Sequence, residues 1–158
     1  MFDSDLPRLY LRFTRFGSIK SAGWEVGPEL GGEMVLSIDH IELIVRDVDE
    51  FVEFYQKLGF EVLLRTAHHG GSAELKLPGE NQPVFEIHSV TGEESIGINH
   101  IAFKVANAQE AYDDVVSKGI KPERGPHLVE VTGRTNVNMR DPDGWRLQLV
   151  DADRIAPQ

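Results

Sequence analysis

The stretch that decides the fold is "DHIELIV" at residues 39–45, which returns as "NHIAFKV" at residues 99–105. In both copies a histidine precedes alternating apolar residues, the pattern of a β-strand with one buried face. A histidine is harder to accommodate on a packed strand than an apolar residue. Its presence in both copies therefore indicates a role beyond packing.

The repeat continues past these strands into a pair of predicted helices. Asp47 and Asn107 are expected N-cap residues, and each is followed three positions later by a glutamate, as in a capping box. Gly59 and Gly119 stand where each helix is expected to end, nineteen residues after the histidine in both copies. The chain is therefore predicted to contain two copies of one structural unit.

Three further strands are predicted after each helix. They are at 61–65, 72–77 and 84–90 in the first copy, and near 120–124, at 134–140 and at 145–150 in the second. Each unit then has the order β-α-β-β-β. The predicted organisation is an N-terminal extension at 1–33, a domain at 34–154 made of a first module (about 35–90) and a second module (about 97–151), and a tail at 155–158.

Composition excludes several classes of function. The chain has 158 residues, of which 41% are hydrophobic and 27% charged, and a net charge of −10, so it is expected to be an ordinary globular domain. No basic patch is available to replace the counterions of a nucleic acid. The absence of cysteine excludes disulfides and thiolate chemistry, and no apolar run is long enough for a membrane span. A cytoplasmic location is expected.

Strand alternation predicts a polar face opposite the helices. Four strands each place an apolar row on one side and one potential metal ligand on the other. The potential ligands are His40, Glu86, His100 and Gln148. The repeat relates the two histidines to each other and Glu86 to Gln148, so these side chains are predicted to converge on one divalent transition metal held by nitrogen and oxygen ligands.

The remaining histidines are weaker candidates. His88 is predicted to share the face of Glu86, where it is a second-choice ligand, a residue behind the ligands or a substrate contact. His68 and His69 are expected in a loop, and His127 is expected to be exposed to solvent.

These motifs resemble a known superfamily. The opening "DHIELIVRDVDEFVEFYQKLGFEV", the middle "INHIAFKV" and the ending "RDPDGWRLQLVD" are similar to those of vicinal oxygen chelate proteins, over about residues 35–151. That group includes glyoxalase I, extradiol dioxygenases, methylmalonyl-CoA epimerase and bleomycin-binding proteins. The resemblance implies an α+β fold in which two tandem βαβββ modules form a cupped, barrel-like mixed sheet with the helices outside. It implies the same four ligand positions, although members usually have glutamate where this chain has Gln148.

The resemblance also implies a range of activities. The expected function is glyoxalase-like lyase or isomerase chemistry on a small substrate with vicinal oxygens, through an enolate stabilised by Fe, Mn, Ni, Co or Zn. Glu86 would be the general base, and Arg146 would hold an anionic substrate group or be an ordinary rim cation. Two alternatives stay open, namely an extradiol-type dioxygenase and a non-catalytic protein that binds a drug-like molecule. A homodimer is implied by the resemblance.

Overall fold

The structure is a computed structural model that describes residues 34–67, 71–130 and 132–151. The N-terminal extension, His68, His69 and the tail lie outside the described residues. The elements are β1 (Val35–Val45), α1 (Val48–Lys57), β2 (Glu61–Thr66), β3 (Ser72–Lys76), β4 (Val84–Ser89), β5 (Gly97–Val105), α2 (Ala108–Ser117), β6 (Arg124–Val129), β7 (Arg134–Arg140) and β8 (Arg146–Val150). The predicted pair of β-α-β-β-β modules is confirmed.

The eight strands form one mixed sheet in the order β2-β3-β4-β1-β5-β8-β7-β6. Strands β1 and β5 are antiparallel neighbours at its centre, and each is parallel to the last strand of its own module. Within the described part of the chain β2 and β6 are the two edges, so the cupped sheet does not close into a barrel. The α+β class and the tandem arrangement are those predicted from the sequence.

Both helices pack against one face of the sheet. Each is ten residues long, and no helix among the described residues is long and apolar enough to cross a bilayer. The core of the first module consists of Val45, Val48, Val52, Ala73, Leu75 and Ile87. The core of the second consists of Val105, Ala108, Ala111, Val115, Val137, Met139 and Leu149. Since these apolar rows face the helices, strand alternation leaves the polar rows on the opposite, concave face.

The two N-caps form as predicted. The Asp47 carboxylate accepts hydrogen bonds from the amides of Asp49 and Glu50, and Asn107 Oδ1 does the same in the second module. Two residues after the end of each helix comes a glycine with positive φ, Gly59 at 94° and Gly119 at 81°.

Removing the first cap gives a measurable prediction. Asp47→Ala is expected to lower the free energy of unfolding by about 1 kcal/mol, because two helix amides lose their acceptor. Asp47→Asn should retain most of the stability, since asparagine is the cap of the second helix. Urea denaturation of both variants tests this. An equal loss in the two variants would show that the cap hydrogen bonds are not the cause.

The structure differs from the sequence prediction at two places in the second module. Strand β6 lies at Arg124–Val129 and not near 120–124, because Pro122 has no amide hydrogen and pairing with β7 begins when the amide of Glu123 donates to the Asn138 carbonyl. The strand predicted at 145–150 would put Trp145 in an apolar row, but this side chain is 54% exposed. Its amide donates to the Asp141 carboxylate, which holds Trp145 in the turn before the strand.

Candidate metal centre

The two repeated histidines meet at the middle of the sheet. His40 and His100 lie on the central strands, are 4% and 6% exposed, and have their Nε2 atoms 3.0 Å apart. Both come from the same chain, so the pair needs no second copy of the protein. The sequence prediction that these histidines converge agrees with this geometry.

Two β-bulges set the surroundings of the histidines. The β1–β5 register skips Asp39 between Ile38 and His40, and it skips Asn99 between the partners of Glu42 and Leu43. Such bulges re-aim side chains next to functional sites. The Asp39 Oδ1 atom lies 2.7 Å from His40 Nδ1, and Asn99 Oδ1 lies 3.3 Å from His100 Nδ1. The bulges therefore place related polar residues beside both rings.

A carboxylate fixes each imidazole ring. His40 Nδ1 lies against Asp39, and His100 Nδ1 lies 2.9 Å from Glu42 Oε2. A ring that donates its Nδ1 hydrogen to a carboxylate presents a bare lone pair at Nε2, as a metal-binding histidine does. Two bare Nε2 atoms 3.0 Å apart repel each other unless a proton or a cation lies beside both. The arrangement therefore favours a bound positive charge at this point.

A buried arginine supports the first of these carboxylates. Arg134 of β7 is 3% exposed, and its Nη2 lies 2.7 Å from Asp39 Oδ1. The contact is an ion pair with poor hydrogen-bond alignment, and Arg134 Nε has no partner among the described residues. Burial raises the pKa of Asp39, but the hydrogen bond with His40 and the contact with Arg134 outweigh burial and lower that pKa to about 2. Asp39 is therefore ionised and can hold the His40 ring in one orientation.

Glu42 is ionised for a similar reason. Burial raises its pKa, but the hydrogen bond and charge of His100 outweigh burial and hold the pKa below the usual range. His88 Nε2 lies 3.7 Å from Glu42 Oε1 on the other side of the carboxylate. His88 is 3% exposed and its Nδ1 donates to the Ser89 carbonyl. In the structure His88 therefore lies behind Glu42.

The Arg134–Asp39 pair gives a stability prediction. Arg134→Met is expected to lower the free energy of unfolding by about 3–5 kcal/mol, because the Asp39 carboxylate stays buried without its partner. The double variant Arg134→Met with Asp39→Asn should recover much of this loss, since an amide can accept from His40 without carrying charge. Guanidinium denaturation of both variants is the measurement. A double variant as unstable as the single one would refute the ion-pair explanation.

Two cross-strand rows of four residues cover the concave face. The first, here called the acidic row, runs over β3, β4, β1 and β5 and consists of Glu74, Glu86, Glu42 and His100. The second, here called the amide row, runs over β7, β8, β5 and β1 and consists of Asn138, Gln148, Ala102 and His40. The repeat relates the rows position by position, and each ends on the histidine of the other module. The acidic row has three carboxylates and the amide row has none.

The other two predicted ligands differ in their surroundings. Glu86 Oε2 lies 3.7 Å from His40 Nε2. Gln148 Oε1 accepts from Asn136 Nδ2 at 3.2 Å, on the side of β8 away from the central strands. The structure therefore brings His40, His100 and Glu86 together and links Gln148 to the amide side chains of β7.

The three grouped residues fit a divalent ion. Two imidazole nitrogens at about 2.1 Å from one ion are roughly 3 Å apart when they subtend a right angle. The spacing of the two Nε2 atoms matches this value, although in the described residues no three His, Asp or Glu side chains are already grouped closely enough to count as a finished site. Nitrogen and carboxylate ligands suit Fe, Mn, Ni, Co or Zn. Glu86, whose Oε2 lies 3.7 Å from His40 Nε2, would supply the carboxylate of this set.

The sequence predicted both histidines as ligands, which stays a prediction, and it gave no role to the residues that hold them. Asp39 and Asn99 directly precede the histidines in both copies, so the repeat "DH" and "NH" was an available signal. Strand alternation also puts Glu42 on the face of His40, but no sequence pattern indicated a role for it. Arg134 had no local signal, because its partner is 95 residues away in the sequence.

Arg146 lies at the rim of the same face. Its Nη1 donates to Asn99 Oδ1 at 2.6 Å, and Asn99 in turn is next to His100 Nδ1. Arg146 borders a shallow cavity of about 310 Å³ that Trp145 and Arg140 also line. A larger cavity of about 590 Å³ lies between β1, α1 and the start of β5 and is mainly apolar. Neither cavity is lined by the two histidines, which lie deeper in the sheet.

The fold and this site define a class: a two-module α+β domain with a carboxylate-supported histidine pair between the modules. A family model described as the Glyoxalase/Bleomycin resistance protein/Dioxygenase superfamily matches residues 37–149. The chain belongs to this superfamily, in agreement with the resemblance seen in the sequence.

Individual relatives agree with the assignment. An uncharacterized protein of Bacillus subtilis, YwkD, is 32% identical over 128 residues, which cover 75% of this chain and 98% of the relative. A solved methylmalonyl-CoA epimerase in complex with methylmalonyl-CoA and ammonium is 26% identical, with a TM-score of 0.62, and the match covers 78% of this chain and 99% of the epimerase. The epimerase from Mycobacterium tuberculosis shares the fold at 20% identity, with a TM-score of 0.64 over 78% of this chain and 93% of that one.

Proposed function

We propose that the protein is a divalent-metal-dependent isomerase that moves a proton on the carbon next to a carbonyl group of a small acyl substrate. The observation that carries this proposal is the pair of Nε2 atoms 3.0 Å apart, each on a ring whose Nδ1 lies against an ionised carboxylate. Similarity to methylmalonyl-CoA epimerases supports isomerase-type chemistry within the superfamily. His40, His100 and Glu86 are the proposed ligands, with Gln148 as a weaker fourth.

The ion would act as a Lewis acid that stabilises negative charge on a substrate oxygen. The residues of the chain supply the rest. Asp39 and Glu42 hold the two rings, so the lone pairs at Nε2 are directed into the site. Glu86 is the proposed general base, because it is the one carboxylate of the three grouped residues and can abstract a proton and return it.

The amide row limits the stereochemical outcome. Inversion at a carbon needs a second proton carrier on the opposite face of the substrate. Gln148 occupies the position that the repeat relates to Glu86, and an amide does not exchange a proton in this way. A site with one base favours a proton shift between neighbouring atoms on the same face. The proposed reaction is therefore a one-base isomerisation.

Deuterium exchange tests the proposal. Metal-loaded protein is incubated in D₂O with each enantiomer of methylmalonyl-CoA as a probe, and deuterium at the carbon next to the carbonyl is measured by mass spectrometry. We expect exchange with retention of configuration in one of the two enantiomers, because a single base reaches only one face of the substrate, and loss of this exchange after chelation. Racemisation would show that a second base exists and would refute the one-base assignment.

The alternatives give different results in the same preparation. Oxygen consumption with a catechol would support a dioxygenase. Failure to bind metal and to exchange the probe, together with binding of an apolar ligand, would support a non-catalytic binding protein. Both outcomes would overturn the proposed isomerase. The predicted homodimer is tested separately by light scattering.

A further inference from the structure

We propose that the two halves of the concave face have different tasks, and that the half formed by the second module binds an oxyanion of the substrate at Arg146. The proposal deepens the proposed function by naming an anionic class of substrate. It rests on that function only in taking the bound anion to be part of the substrate.

Charge differs strongly between the two halves. The acidic row has three carboxylates, whereas the related positions of the amide row are Asn138, Gln148 and Ala102. The residue at the bulge is likewise acidic in the first module, Asp39, and neutral in the second, Asn99. The chain has a net charge of −10, so an anionic ligand is repelled by most of its surface. The electrostatic repulsion is weaker over the second half of the concave face than over the first, because the second half has fewer carboxylates.

The second half also offers a cation that has no ion pair among the described residues, in a cavity that Asp143 also lines. Arg146 is exposed, donates to the neutral Asn99 side chain, and makes no ion pair with any described residue. It lies directly opposite Arg140 across β7 and β8. Like charges at such positions destabilise a sheet unless they share a counterion. Arg140 has Glu123 and the Gly144 carbonyl as partners, so the open position for an anion is at Arg146.

Buried acceptors lie further along the same face. Asn136 Oδ1 and Asn138 Oδ1 are inaccessible to solvent and have no hydrogen-bond partner among the described residues. Buried polar atoms are normally satisfied by protein, water or a ligand. Neither asparagine lines the cavity beside Arg146, so these acceptors lie outside the proposed oxyanion site.

The identity of the oxyanion has two possible sources. A carboxylate on the acyl group and a phosphate on a nucleotide carrier both suit the planar fork of arginine. Trp145, which is 54% exposed and lines the same cavity, offers a face on which a ring of a nucleotide carrier can stack. Only a nucleotide carrier has a ring that could stack on Trp145, so a contribution of Trp145 to binding distinguishes the two sources.

The test measures binding of three probes to metal-free protein by calorimetry: ADP, pyrophosphate and malonate. Arg146→Gln is expected to raise the Kd for the preferred probe about tenfold, as expected for loss of one charge-assisted contact. The matched control is Arg65→Gln, which removes an exposed arginine of the first module that pairs with Asp49. It should leave the Kd unchanged.

Trp145→Leu identifies the source. A weaker affinity for ADP alone supports a nucleotide carrier, whereas preference for malonate with no effect of Trp145→Leu supports an acyl carboxylate. Equal effects of Arg146→Gln and Arg65→Gln, or no binding of any probe, would overturn the oxyanion site. Because the protein is metal-free, these results do not depend on whether the proposed metal chemistry is correct.

Discussion

His100→Ala is expected to abolish metal binding. Protein purified without chelator should contain about one equivalent of a divalent transition metal per chain, and the variant should contain almost none. The reason is that His100 supplies one of the two central nitrogen ligands and lies 3.0 Å from the other. Elemental analysis by plasma mass spectrometry measures this directly.

Two further variants make the result specific. His127→Ala removes a part-buried histidine of β6 whose Nδ1 donates to the Gly125 carbonyl, so it should retain the metal. Gln148→Ala should lose less metal than His100→Ala, because the Gln148 oxygen already accepts from Asn136. Equal metal content in folded wild type and His100→Ala would refute the proposed centre. A complete loss in Gln148→Ala would establish Gln148 as an essential ligand.

Glu86→Gln is expected to reduce deuterium exchange by at least about a hundredfold, the usual contribution of a general base. An amide can still approach the metal through its oxygen, but it cannot accept the substrate proton. The variant should therefore keep most of its metal while it loses exchange. Both quantities are measured on the same sample, which separates loss of the base from loss of the site.

The control is Glu74→Gln, one strand further from the histidines in the acidic row. It removes the same charge from the same face, so a general change in electrostatic potential would affect both variants equally. Exchange in Glu74→Gln should stay within a few-fold of wild type. If Glu86→Gln retained full exchange, the proton would have to be moved by another group, and Glu42 would be the next candidate.

The features that the sequence predicted are those with a local cause. The caps at Asp47 and Asn107 depend on side chains within three residues of the amides they bind. The face of each histidine depends only on strand alternation, and the repeat shows the same pattern twice. The family and the tandem topology were therefore accessible from the sequence.

The features that were missed depend on pairing between distant strands. The bulge at Asp39 exists because β1 slips by one residue against β5, and no local pattern specifies that slip. The pair of Arg134 with Asp39 joins β7 to β1, which are not neighbours in the sheet. Trp145 was assigned to a strand from its apolar character, whereas the hydrogen bonds of Asp141 hold it in a turn.

The crossing of the two rows, in which each ends on the histidine of the other module, has a consequence for how the centre is assembled. A single module would carry one imidazole and could complete the centre only by associating with a second module. The fraction of complete centres would then depend on the protein concentration. Joining both halves in one polypeptide makes that encounter intramolecular. It also lets the two copies differ, as they do at Glu42 and Ala102, which the repeat relates to each other.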